Sequence, residues 1–339
     1  MALSLAGKFY LCLVLMLASW ALLAAFRTLH EASIEQKHEQ WITKHGRIYA
    51  DSEEKGKRLE IFANNVRFIE DFNRAGNRTF KLGLNAFSDK TVDEFLQFST
   101  GLLLPSTPRP RTTSFMHANI THIPRCIDWV AKGAVNAIKN QGQCGSCWAF
   151  SAVAAIESIT QIKTGKLLEL SEQQLVDCIK NSGCSRGWMD TAFDYTIQNG
   201  GITSETKYPY IATNGTCHVP TASLSVAKIV GYEDVPANNE GEILKAVAMQ
   251  PVSVSIDGSR REFHLYSSGV FNGNCGTEVT HAVAIVGYGT ARDCTNYWKI
   301  RNSWGETWGE AGYMRIQRDY AQPEGLCGIA MHASYPVVQ

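Results

Sequence analysis

The chain has no surplus of charge. Across 339 residues, 32 Lys and Arg balance 32 Asp and Glu. Nucleic acids and anionic membranes hold their partners largely through excess cations, so neither is implied as a partner. Internal repeats and low-complexity tracts are missing. Long apolar runs are also missing, with one exception. Phe9–Ala25 follows Lys8 and ends in small residues, the pattern of a secretory signal peptide, and is slightly short for a membrane span. No other stretch suits a bilayer, so the mature product is expected to be soluble, without membrane contact. Metal-ligand spacing is lacking too. One C-x-x-C occurs, Cys144 to Cys147, and no second pair and no H-x-x-x-H follows it.

Secretion implies an oxidising compartment, in which cysteines pair. Of ten Cys, Cys12 leaves with the leader. The nine that remain are Cys126, Cys144, Cys147, Cys178, Cys184, Cys217, Cys275, Cys294 and Cys327. Nine is odd, so one thiol at least stays unpaired within a monomer. The stretch Gln141-Gly-Gln-Cys-Gly-Ser-Cys-Trp-Ala-Phe150 offers a candidate. Gly142 and Gly145 mark a tight loop. No Gly or Pro follows until Gly165, and the intervening residues read as a largely apolar, buried helix. Cys147 falls where that helix begins, among unpaired N–H groups and the positive end of the dipole. That setting favours the thiolate, the form that attacks carbon. Half a zinc site, a redox pair and two structural disulfide partners are the competing readings of Cys144 and Cys147.

Taken in order, residues 31–45 and 52–74 read as amphipathic helices, and Phe80–Gly83 as a short strand. Thr91-Val-Asp-Glu94 is a capping box opening a helix to about Phe98. From Ser99 to His122 the chain turns to Pro, Thr and Ser, including Pro105, Pro108 and Pro110. It reads there as an extended, exposed linker open to proteolysis. A second unit begins near Ile123. Its first half is helical, over 147–163, 171–179 and 188–198. Its second half is strand-like, over 251–256, 281–287, 296–301 and 312–318. A helical half followed by a stranded half predicts an α+β fold with a cleft where they meet.

Cys144-Gly-Ser-Cys147-Trp resembles the active-site motif of papain-like cysteine proteases. Thr280-His281-Ala282 fits the family's histidine segment, and Asn302-Ser-Trp-Gly-x-x-Trp308-Gly its asparagine segment. Glu54-x3-Arg58-x2-Ile61-Phe62-x2-Asn65-x3-Ile69-x3-Asn73 matches its propeptide helix, and Gly83-x-Asn85-x-Phe87-x-Asp89 a second propeptide motif. The resemblance runs from about residue 35 to the C-terminus and is greatest to the plant branch. It implies a signal peptide (1–25), an inhibitory helical propeptide (26–122) and a papain-like peptidase domain (123–339). That domain would have a helical half and a β-barrel-like half with the active site between them.

The resemblance gives each residue a role. Cys147 is the nucleophile, and His281 takes its proton and later returns it to the leaving amine. Asn302 orients the imidazole, and Trp304 covers that contact. Gln141 and the Cys147 backbone N–H bind the oxyanion. Gly187 pairs with the substrate backbone. Trp188, Met189, Ser255, Val279 and Ala282 line the main specificity pocket, with His332 near its floor, which favours an apolar side chain. A charged His332 would disfavour Lys and Arg there, or accept an acidic group. Without the resemblance, His281 reads as a packed histidine, Asn302 as a turn former and Gln141 as a surface residue.

The family's three disulfides correspond to Cys144–Cys184, Cys178–Cys217 and Cys275–Cys327. Cys126 and Cys294 are extra, and either a fourth bridge or two free thiols is open to them. Cys184-Ser-Arg186-Gly187 departs from the family's Cys-Asn-Gly-Gly. If that position needs a left-handed backbone, Arg186 is strained there; otherwise it points harmlessly to solvent. Asn77, Asn119 and Asn214 head glycosylation sequons. The family implies a monomer acting on proteins and peptides, held by its own propeptide and by cystatin-type inhibitors, with no cofactor and no metal. The propeptide tail would run through the cleft backwards relative to substrate. Protonation of Asp89 and Glu54, paired with Arg58 or other cations, would loosen it below roughly pH 5, with self-cleavage between about Phe115 and Ile123. Vacuole, lysosome-like organelle and cell exterior all fit. The alternative is a catalytically silent relative serving storage, binding or inhibition. Such relatives usually lose the Cys or His, and both stand here.

Overall fold

A computed structural model describes residues 33–104 and 115–339. The leader and the linker prolines lie outside the described residues. The described chain divides into two compact units: residues up to Glu70 with Ser88–Lys90, and Asp71–Phe87 with Thr91–Gln339.

In the first unit, α1 spans 33–45 and α2 begins at Ser52, running to Arg74. Ile34, Trp41, Phe62 and Val66 bury a small apolar core between them. The charged positions of α2 face a short segment instead. Arg58 pairs with Glu54 at 2.7 Å and donates to Asp89 O. Asn65 donates to the carbonyls of Ser88 and Lys90. The Asp89 carboxylate, 4% exposed, accepts from Tyr49 Oη at 3.0 Å and lies 3.7 Å from Arg47. The long spacing of the propeptide motif therefore collects its polar residues on one face, gripping this segment.

The second unit is built on one helix and one strand. α4 (Cys147–Thr164) is apolar, and its first fourteen residues are buried. Gly165 stops it in the left-handed conformation, φ 74°. β6 (His281–Thr290) is the longest strand, buried over nine residues. The two are fastened by Ser151 Oγ donating to Val283 O, 2.7 Å, and by contact of Ala154 with Ala284 and Val286. Around α4 stand α5 (Glu172–Cys178), capped by Ser171, α6 (Met189–Gln198) and the short α7 (Val219–Ala222).

β1 (Phe80–Leu82), β5 (Tyr266–Phe271), β8 (Tyr313–Gln317), β7 (Asn296–Arg301), β6, β4 (Val252–Ile256), β9 (Ala333–Val337) and β3 (Gly231–Asp234) lie side by side in that order. β2 (Ile127–Asp128) pairs with the far end of β6. Eight of the nine described strands form an open path with β2 beside it, antiparallel except where β5 meets β8. Its outermost strand, β1, comes from the N-terminal part of the chain: Phe80 pairs with Gly269, and its ring lies tilted against Phe271 at 4.7 Å. Two helices lie in this half, α8 (Glu240–Met249) and the single turn α9 (Arg261–His264). α3 (Val92–Ser99) carries the expected capping box, with Thr91 and Glu94 bonded reciprocally.

The linker expectation needs correction at both ends. Ser99 and Gly101 are buried, and Leu102 forms a bridge with Gly187. Beyond 114, the His117 ring lies on Tyr335 at 5.1 Å, and Met116 N–H donates to Glu233. Apolar and aromatic side chains dock these segments where composition alone suggested solvent. Among the described residues no helix is long and apolar enough to cross a membrane.

Candidate active site

Two packed elements carry the candidate reactive pair at their first residues. Cys147 opens α4, and His281 opens β6 opposite Ile256 of β4. Cys147 and Ala282, the residue after His281, share one buried cluster. The Ala282 N–H also points at the Cys147 sulfur. β7 ends at Arg301, so Asn302 is delivered just beyond its last paired residue. There its Oδ1 accepts from His281 Nε2–H at 2.8 Å and from Ser303 N–H at 2.8 Å. The two donors fix both the amide and the imidazole tautomer. The other ring nitrogen, Nδ1, is buried without a hydrogen-bond partner and is the one left to take a proton. Trp304 stacks on the imidazole, 4.5 Å between centroids at 25°, and excludes water from that contact.

Gln141 is fully buried. Its Oε1 accepts from Ser303 Oγ at 2.5 Å, which turns Nε2 towards the cleft. There Nε2 donates to Cys144 O and, at 3.3 Å, to Ser99 O. Trp304 Nε1 donates to the same Ser99 carbonyl at 3.0 Å. Tyr210 Oη holds the loop from behind, donating to Gln141 O and pairing with Ser146 Oγ. The sequence gives no sign of Tyr210. Ser303 stands inside the asparagine motif, where its position is the one available signal of its role.

Segment 99–103 crosses the thiol. Gly101 N–H donates to Thr280 O at 3.2 Å while also favouring charge on the nearby sulfur, Gly187 N–H donates to Gly101 O, and Leu103 N–H donates to Gly187 O. The pairing of Leu102 with Gly187 is parallel. Glycine is required on both sides. A Cβ on Gly101 would fall 2.0 Å from Gly145 O, and one on Gly187 2.3 Å from the Trp148 indole. Burial beneath this segment governs charge. It pushes the Cys147 thiol up to about 12, against several backbone N–H groups that pull it down. It pushes His281 down to about 4, against the Asn302 contact. The covered site therefore favours a neutral thiol and a neutral imidazole, against the thiolate expected from the helix position.

The pocket residues are largely brought together. Cys147, Trp188, Met189 and Ala282 lie in one cluster, against which Leu102 packs. Ser255 pairs with Ala282 and donates its N–H to His332 O. The His332 ring meets Trp188 edge-on at 5.3 Å, and burial lowers its pKa against the pull of Asp190. Val279 is buried two residues before His281.

The three disulfides Cys144–Cys184, Cys178–Cys217 and Cys275–Cys327 are all formed. The first ties the loop before Cys147 to the turn that carries Gly187. Cys217, just ahead of α7, is held to the last residue of α5 by Cys178. Cys275, between β5 and β6, is held to Cys327 in the turn before β9. The fourth bridge is not formed, and Cys126 and Cys294 are free and exposed. Cys126 precedes β2, which pairs with β6 at Tyr288, whereas the tight turn Ala291–Thr295 holds Cys294 beyond that strand. Arg186 is exposed and outside the left-handed region, so the departure at that turn carries no strain. Asn77, Asn119 and Asn214 are exposed. Asn214 Oδ1 already accepts from Cys184 N–H.

A thiol, an imidazole and an orienting amide beside a buried donor, all beneath a strap of the same chain, define a cysteine protease in its proenzyme form. The papain family cysteine protease profile matches residues 123–337, and the cathepsin propeptide inhibitor domain profile matches residues 38–95. The senescence-specific cysteine protease SAG39 of Oryza sativa subsp. japonica is 50% identical over 321 residues, 93% of this chain and 94% of that protein. SAG12 of Arabidopsis thaliana is 50% identical over 317 residues, 91% and 92% of the two chains. The solved recombinant stem bromelain precursor superposes with a TM-score of 0.86 at 44% identity, covering 91% of this chain and 99% of that one. The proform of a ragweed pollen cysteine protease, Amb a 11, gives 0.83 at 41%, covering 90% and 95%. This chain belongs to the papain family of cysteine proteases and carries its propeptide inhibitor domain.

Proposed function

We propose that the chain is an acid-activated endopeptidase working through a thioester acyl-enzyme. Cys147 attacks the carbonyl, His281 moves the proton from thiol to leaving amine, Asn302 holds the ring, and Gln141 with the Cys147 N–H receives the oxyanion. The observation that carries this reading is the Asn302–His281 bond beside the start of α4, with Gln141 already donating to a carbonyl oxygen of the strap. Leu102 against the apolar cluster supports an apolar side chain at the second position before the scissile bond. His332 against Trp188 adds a group that charges in acid and discriminates against basic side chains.

Residues 1–25 act as leader, 26–122 as the inhibitory part and 123–339 as the peptidase, trimmed between about Phe115 and Ile123. The product is a monomer of an acidic secretory-pathway compartment, open to cystatin-type inhibitors and glycosylated at Asn214. Acid treatment followed by an epoxide-type thiol reagent tests the reading. Labelling at Cys147 with loss of peptide hydrolysis supports it, and a ripened protein that hydrolyses no peptide, or that labels elsewhere, overturns it.

A further inference from the structure

The Tyr210 hydroxyl sits between two parts of the loop before α4. It donates to Gln141 O at 2.8 Å and lies 2.6 Å from Ser146 Oγ. A carbonyl oxygen can only accept, so the single phenolic proton points at Gln141. Ser146, which is fully buried, must then donate to Tyr210; Cys144 O, at 3.4 Å, is the more distant acceptor. The hydrogen bonds therefore run one way, from Ser146 through Tyr210 to Gln141. Tyr210 is itself held in place. Its N–H donates to Glu205 at 2.8 Å, the next N–H donates to Gln173, and its ring meets Phe150 of α4 edge-on at 4.9 Å.

The two ends of this chain matter because of what they carry. The Gln141 side chain and the Cys147 N–H are the pair of donors assigned to the oxyanion. They stand six residues apart, across a loop in which Gly142 is left-handed, φ 63°. The Cys147 N–H belongs to the peptide plane that starts at Ser146. Ser146 makes no side-chain bond to the helix it caps, so its hydroxyl serves Tyr210 instead. The Gln141 main chain is fixed on its other side, where its N–H donates to Ser303 O at 2.8 Å. The Cys144–Cys184 disulfide ties the middle of the loop and reaches neither end. Tyr210 joins both donors to one rigid point.

We infer that Tyr210 is a positioning residue for the oxyanion. Its hydroxyl sets the separation of Gln141 Nε2 and the Cys147 N–H, and it acts on the transition state rather than on substrate binding or on the thiol. Donors aimed in advance help only while their spacing is kept, because charge reaches the oxygen only as the new bond forms. The inference rests on the protease reading above, and its test separates the two.

Ripened enzyme and its Tyr210→Phe variant, which keeps the ring beside Phe150, are compared on a Leu-Arg aminomethylcoumarin substrate, a peptide aldehyde and iodoacetamide. The aldehyde adduct places an oxygen at the two donors, whereas alkylation by iodoacetamide reports the thiol alone. Tyr210→Phe should lower kcat about ten-fold, the size of one lost hydrogen bond, with KM within about two-fold. The aldehyde should weaken by the same factor. Alkylation of Cys147 should keep its rate and pH profile, which a loosened fold would not allow. In a Gln141→Ala background the same change should cost about three-fold or less, since one donor is already gone. Ser146→Ala removes the other end of the chain of bonds; it should repeat the pattern and stands in if the tyrosine variant does not fold. Unchanged kcat, a full ten-fold loss in the Gln141→Ala background, or alkylation that falls with kcat overturns the inference and leaves the protease standing. No coumarin release by the parent enzyme overturns the protease reading and this one with it.

Discussion

Ser303 contributes two groups to the site. Its hydroxyl sets the flip of the Gln141 amide, and its N–H sets that of Asn302. Both amides of the proposed site are thus turned before any substrate arrives, so a donor lost here is not replaced by rearrangement. Gln141→Ala should lower kcat about 100- to 1000-fold, with KM little changed, in steady-state hydrolysis by the ripened enzyme. At this scale the candidate site, Cys147, His281, Asn302 and Gln141, is named by motif spacing, and the fold brings Gln141, Asn302 and His281 together through Ser303. Tyr210 is not legible, because its hydroxyl matters only through contacts with residues far away in the chain. The neutral state of the thiol is not legible either. Helix position argues for a thiolate, and burial beneath Gly101 wins.

Elements with a strong period are readable: α2, α4, α6, β4, β6 and β7 lie where alternation or helical spacing places them. α8 escapes such a reading because Gly241 blurs its first turn, although Asn239 caps it and Ile243, Ala246 and Val247 are buried. β3 and β9 escape it for other reasons. β3 is half-buried throughout, with no alternation, and β9 contains Pro336, which usually marks a strand as marginal. The strap at Gly101 offers a direct test. An added methyl would meet Gly145 backbone on a closing path with no room to yield. Gly101→Ala should leave the zymogen several-fold more active at neutral pH before any acid treatment, read with a peptide substrate. Between α4 and α5, Lys139 Nζ bonds Glu172 at 2.9 Å and lies 3.4 Å from Glu157, both carboxylates being buried. Lys139→Met strands the Glu172 carboxylate, while Glu157 keeps Arg301 at 3.8 Å, and should cost about 3–5 kcal/mol in urea unfolding.

For the whole molecule, pH acts through the covered histidine. Burial holds His281 near 4 against an ordinary 6.5, so the covered state prefers the neutral ring. Its contribution is complete above pH 6.5 and is lost as pH falls towards 4, at most about 3 kcal/mol. With Cys147→Ala to prevent cutting, the thermal midpoint of the zymogen should drop over that window. Adding His281→Gln should flatten the drop. Burial also lowers His38, His45, His117 and His332, so the drop should shrink in that variant and not vanish.

The parallel bridge between Leu102 and Gly187 has one more consequence. A strand threaded in this sense presents its amides to the sulfur with the wrong polarity, so the stretch in the cleft resists cutting, and the proposed cut between about Phe115 and Ile123 falls outside it. While that stretch covers its own thiol, an uncovered neighbour is the better placed to trim it. The delay before activity shortens as the zymogen is concentrated, and a trace of finished enzyme abolishes it.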